Sequence, residues 1–177
     1  MTPVLAVPPA AAVVEIADLR AHLRITHSDD DYLLAGLLAA AVAHLDGWKG
    51  VLGRAILTQQ WREEFETWGD LRLALPDVSA AVVTYLDAAG ASFAAASSKL
   101  DRDVIGWFVT AAGPSAARVV VTYTCGLPAE QLPAVRLIIK MLVGHWYDNR
   151  NAVDGIAMAE LPLAVQSLAN PLRWSLM

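Results

Sequence analysis

A single cysteine, Cys125, stands in the 177 residues, so no disulfide can close within the chain and no thiolate cluster can hold a metal. It reads as a small buried apolar thiol. Charge is scarce as well. Charged side chains make up 18% and the formal net charge is −5, which leaves no basic face of the kind that grips a phosphate backbone by releasing counterions. A protein that lets DNA pass is compatible with that balance. No signal peptide is expected in residues 1–16 either: MTPVLAVPPAAAVVEI has no basic n-region, carries Pro3, Pro8 and Pro9, and reads as an extended arm. The apolar runs 32–45 and 132–147 do not make membrane spans, the first being too short and the second carrying Arg136 and Lys140. A soluble cytoplasmic protein with no membrane association is expected.

Catalytic patterns are absent too. There is no G-x-S-x-G, no H-E-x-x-H and no phosphate loop, and KGVLGR at 49–54 lacks the spacing of one. His22 and His27 have no third ligand at a recognisable interval and read as solvent-exposed. Asp29, Asp30 and Asp31 lack the alternation and glycine turn of a calcium loop. With Ser28 they read instead as an acidic capping box placing negative charge at a helix start. His145 and Asp148, at i, i+3, are the best catalytic-looking pair, a base and its orienting carboxylate. Against that stands a role for Asp148 and Arg150 in capping the helix end or pairing with a neighbour. Glu63, Glu64 and Glu66 read as solvated. The six tryptophans are scattered through helix, sheet and tail, which suits core and interface better than a stacking platform. No enzyme, no cofactor and no metal are expected; the alternative is a small α+β enzyme or ligand-binding domain using His145 and Asp148 or the aromatic sheet.

What is present is apolar and helical at both ends. Hydrophobic residues make up 56%, much of it alanine, and the length suits one ordinary domain. In residues 132–151, Val135, Ile138, Ile139, Leu142, Val143 and Trp146 recur at helical spacing, a stripe of about five turns. Leu137, Met141 and Gly144 lie off it and are apolar or small too, so the helix is expected to be covered on two sides, one of them by another subunit. Pro133 marks its start. Residues 15–25 predict a short helix, and 29–50 a long one with rows Leu33, Leu37, Ala41, Leu45 and Leu34, Leu38, Val42. Its other side, with Ala35, Gly36, Ala39, Ala40 and Ala43, is small. That side either admits a neighbouring backbone or is an exposed face of good helix formers.

Between the helices the period changes. Alternation over 56–68, 71–75, 81–87, 92–98, 104–110 and 118–124 predicts a small, mainly antiparallel sheet, with Trp61, Phe65 and Trp68 on one face and Gly90 in a hairpin turn. The fold class is α+β: long helices near 29–50 and 132–150, a β insertion over about 56–124, and a C-terminal helix plus tail. As one domain, 1–177 divides into arm 1–14, helical part 15–54, β insertion 55–125, core helix 130–151 and C-terminal segment 152–177. In that last segment Leu161, Val165 and Leu168 share a helix side, and LRWSLM ends the chain. Apolar termini need a groove in their own domain or a partner.

Taken in order, LRAHLRI, SDDDYLLAGLLAAAVAHLDGWKG, GRAILTQQW, LPAVRLIIKMLVGHWYDNRNAV and LPLAVQSLANPLRW resemble the head-tail connector, or adaptor, proteins of long-tailed phages, prophages and gene transfer agents. The acidic helix start, the GRA-x-L-x-Q-x-W join and the WYDNR helix end carry the resemblance best; the sheet matches loosely. The resemblance implies a structural protein of the virion or phage-like particle. It forms a homo-oligomeric ring, usually a dodecamer, under the portal protein, extends the DNA channel without sequence-specific binding, and carries the stopper or tail-terminator protein. It makes Leu161, Val165, Leu168, Leu172, Arg173, Trp174, Leu176 and Met177 candidates for portal docking. A ring needs two different surfaces that meet head to tail, and for these Ala35, Ala39, Ala43, Leu137, Met141, Tyr147 and Arg150 are the candidates. A chain cut before Leu161 is expected to fold and fail at the portal, and Trp174→Ala to weaken docking more than Trp107→Ala.

Overall fold

In the computed structural model, described for residues 2–149 and 163–174, the chain forms four α-helices and eight β-strands among those residues. Their contacts divide it into two compact units, one built on sheets and one on helices.

The sheet unit takes its described residues from Met1–Ala11, Leu57–Leu127 and Trp174–Met177. Its strands are β1 (Val4–Val7), β2 (Gln59–Phe65), β3 (Gly69–Arg72), β4 (Val78–Leu86), β5 (Ser92–Ala94), β6 (Ser97–Arg102), β7 (Trp107–Ala112) and β8 (Arg118–Cys125). They make two antiparallel sheets where one is expected: five strands in the order β1-β2-β8-β4-β5, and three in the order β3-β7-β6. β8, RVVVTYTC, is rich in β-branched residues and lies at the centre with β2 and β4 on either side. Val119, Val121, Tyr123 and Cys125 point to its buried face, opposite Phe65, Glu63, Trp61 and Gln59. The expected arm is a strand in its own right. β1 pairs with β2, Val4 facing Arg62 and Leu5 facing Trp61, so the proline-bracketed segment becomes an edge of the larger sheet. Trp68 lies beyond β2. Its indole donates to the Pro114 carbonyl at 2.8 Å and packs on Gly113, where a Cβ would fall 2.5 Å from the ring.

The helical unit takes its described residues from Ala12–Ile56 and Pro128–Arg173. It contains α1 (Ile16–Leu23), α2 (Asp31–Leu45), α3 (Leu132–Asp148) and α4 (Leu163–Ala169). α3 packs against α1, α2 and α4. Val135, Ile138, Ile139, Leu142 and Val143 are buried as its spacing predicts, with Trp146 half-buried beside His44. Each buried aliphatic side chain contributes about 1.5–3 kcal/mol, so this stripe outweighs any local propensity in the helix. Gly144 is covered from within: a Cβ there would lie 3.1 Å from Leu23 Cδ2, so part of the second side belongs to α1 rather than to another subunit.

α2 is shorter than expected. It ends at Leu45, and a run of turns follows in which Gly47 and Gly53 take positive φ and Asp46 Oδ1 accepts from Ile56 N at 2.7 Å. The acidic start also differs. Asp30 is the N-cap, and no side chain caps the helix. Asp30 instead accepts a hydrogen bond from the Tyr147 hydroxyl, and Asp31 pairs with Arg20 at 3.5 Å. The aspartates tie α2 to α3 and α1, because tertiary partners within reach compete with the helix's own free N-H groups.

Candidate assembly surfaces

α2 buries Leu34, Ala41 and Leu45 and leaves Ala35, Gly36, Ala39, Ala40 and Ala43 exposed, with Tyr32 94% exposed at the head of the row. At Gly36 nothing lies within 4 Å of a Cβ position. Of the alternatives open from sequence, this subunit leaves the small face uncovered. Leu137 on α3 is 43% exposed and Met141 half-buried. Tyr147 is the candidate that the subunit claims for itself, through Asp30. Arg150 lies outside the described residues.

The candidate docking segment is divided in its roles. Val165 and Leu172 are buried in the subunit's own packing. Leu168 is half-buried and Arg173 exposed. Arg54 fastens the end of this segment, donating to the Leu172 carbonyl and to Gln131 Oε1, both at 3.1 Å. Trp174 is half-buried with its ring against Gly106, where a Cβ would approach to 3.4 Å. Trp174, like Gly106, belongs to the sheet unit. Leu161, Leu176 and Met177 lie outside the described residues. Leu163, a residue that helical spacing passed over, is 83% exposed.

The sheet unit adds surfaces that alternation did not single out. Val104, fully exposed, and Ile105, 45% exposed, form the β6–β7 turn. Asp103 holds that turn: Oδ1 accepts from Ile105 N at 2.9 Å and Gly106 N at 3.0 Å, while Arg72 grips both oxygens at 3.0 and 2.5 Å. The Arg72 hydrogen bonds, first among several causes, hold the Asp103 carboxyl well below the usual carboxylate range.

One buried polar group overturns an expectation. Glu63 is 4% exposed, not solvated, and its Oε1 accepts from the Tyr123 hydroxyl at 2.6 Å and from Ala74 N at 2.9 Å. Burial raises its pKa above the ordinary value, with the two donors acting the other way. The strand period contained the signal, since Glu63 falls on the same face as Trp61 and Phe65. Glu64, on the opposite face, joins Arg62 and Arg118 at 2.7 and 2.8 Å.

The geometry offers no support for His145 and Asp148 as a catalytic pair. Both are exposed, and the side chain beside the His145 ring is that of Asn149, at 3.4 Å from Nδ1. No group of three His, Cys, Asp or Glu suited to a metal occurs among the described residues, and no described helix is long and apolar enough to cross a membrane.

Among the described residues the exposed apolar side chains lie on helix faces, sheets and turns, the surfaces on which subunits of an assembly meet. The chain belongs to the phage gp6-like head-tail connector family, whose model matches residues 14–173. Its fold is also that of a chain in the neck of an empty GTA particle computed with C6 symmetry. That likeness has a TM-score of 0.75 and 24% sequence identity, covering 99% of this chain and 96% of the other. A search of curated proteins found no match.

Proposed function

We propose that this protein is a structural component of a phage or gene transfer agent particle, forming a ring between portal and tail. The ring extends the DNA channel and offers a platform to the stopper or tail-terminator. The observation that carries this reading is the uncovered small face of α2 in a chain of the connector family. Ala35, Ala39 and Ala43 let a neighbouring backbone come close, and Leu137 with Met141 adds apolar area on α3. The contact is head to tail, one surface meeting a different one on the next copy, so that a constant rotation closes the ring. The net charge of −5 favours passage of DNA over capture.

Ala39→Glu tests the assembly face. The site is exposed, so the variant should keep the parent melting temperature while losing rings seen by negative-stain imaging with portal present. Rings at normal yield would remove the α2 face from the interface. A parent chain that forms no ring with portal would sink the connector reading itself.

A further inference from the structure

The two edges of the five-stranded sheet share features that natural sheets usually suppress. β1, at one edge, reads VLAV, with Val4 59%, Leu5 43% and Val7 49% exposed. β5, at the other, reads SFA, all exposed, with Phe93 at 46%. Neither carries a charge, and each is the last strand of its sheet among the described residues. An uncharged apolar edge with unpaired N-H and C=O groups adds whatever strand it meets. Pro3, Pro8 and the irregularity between Leu5 and Val7 restrict the available ladder to a few residues.

The directions of the strands decide what can be added. Every pairing in this sheet is antiparallel and the strand number is odd, so β1 and β5 run the same way. β1 lies level with Ala80–Val82 of β4 and β5 with Thr84–Leu86, so a copy shifted sideways and by about four residues along the strands, without turning over, brings its β1 alongside β5 in parallel, and its own β5 is then free to repeat the contact. Side chains match across that junction. Leu5 lies opposite Trp61, in the row that continues through Tyr123 and Ala81; Phe93 lies opposite Tyr85, on the same face of the sheet. The apolar face thus ends at both edges on a half-covered apolar residue.

We propose that β5 of one subunit adds to β1 of the next copy, with Phe93 of the first beside Leu5 of the second, so that the sheets run on around the ring. This rests on the ring reading above. A ladder this short is far below the roughly 1,000 Å² that a stable interface buries, so it sets direction and register while other surfaces supply area.

Cross-linking tests it. Within one subunit Leu5 and Phe93 are separated by four strand spacings, about 19 Å across the sheet, and by four residues, about 13 Å along it, so a bis-maleimide shorter than about 19 Å joins cysteines at these positions only between copies. Cys125 is buried and stays out of the reaction. The full chain carrying both Leu5→Cys and Phe93→Cys, assembled with portal and imaged to verify rings, should give a ladder of covalent multimers. Either single variant should give monomers. Rings without a ladder overturn the edge pairing and leave the ring reading standing; no rings from the parent chain overturn both. As a second measure, Phe93→Lys, which also gives up the stacking of Phe93 on Tyr85, should leave a subunit folded by circular dichroism that loses rings, and undiminished rings would reject the edge contact.

Discussion

Glu63 is the residue through which burial ties stability to pH. The native carboxyl is raised above its ordinary value of 4.5, first by burial, so it keeps its proton to higher pH than in the unfolded chain. The native state binds more protons in the window from 4.5 up to the raised value, and stability falls as pH rises through it. Glu63→Gln retains an oxygen for both donors and carries no charge. Its chemical-denaturation midpoint should therefore lack that decline and equal or exceed the parent's above the window. Glu63→Ala strands the Tyr123 hydroxyl and the Ala74 N-H, at about 1–3 kcal/mol for each buried donor left unsatisfied. A Gln variant as unstable as the Ala variant would show that the charge, not the acceptor, matters. Alternation was sufficient to place Glu63 inward. The expectation that a glutamate is solvated prevailed, and neither Tyr123 nor Ala74 could be seen as a partner from 60 and 11 residues away.

Among the elements, the helix with strong periodicity, α3, was legible together with its Pro133 start, while both ends of α2 were not. α3 was readable because five apolar residues recur at one spacing, and burying them dominates any local preference. The start of α2 misled because a capping box is a local pattern, while Tyr147 and Arg20 reach its aspartates from other helices. α1 ends in a different way, with Arg24 at φ 58 in the left-handed region. A side chain is disfavoured there by roughly 1–2 kcal/mol, part of which glycine recovers. Arg24→Gly should accordingly raise stability by about 0.5–1 kcal/mol in thermal denaturation. Ile138→Ala, removing a wholly buried side chain from α3, should lower it by about 2–5 kcal/mol.

At the scale of the whole molecule, the C-terminal segment needs a different test from the one its sequence suggests. A chain cut before Leu161 loses α4, with Val165 and Ala169 buried, and the Arg54 contact to the Leu172 carbonyl, so failure at the portal would confuse docking with unfolding. Trp174→Ala has the same fault, because its ring packs on Gly106. Leu163, 83% exposed, separates the two. Leu163→Asp should leave the melting temperature unchanged and weaken pull-down by portal at least as much as Trp107→Ala does. Pull-down equal to the parent's would remove this position from the docking surface.

The sequence by itself determined the helical stripes, most of the strands and, through motifs spread in order along the chain, the connector family. These follow from local periodicity and from residue types at fixed spacing, which survive without knowledge of partners distant in the chain. The tertiary structure decided which apolar faces are spent. It buried Val165, Leu172 and Gly144, left the alanine side of α2 and Leu163 open, and made the N-terminal arm an uncharged sheet edge running parallel to a second one. Burial is a property of pairs of surfaces, and no single stretch of chain carries the other member of its pair.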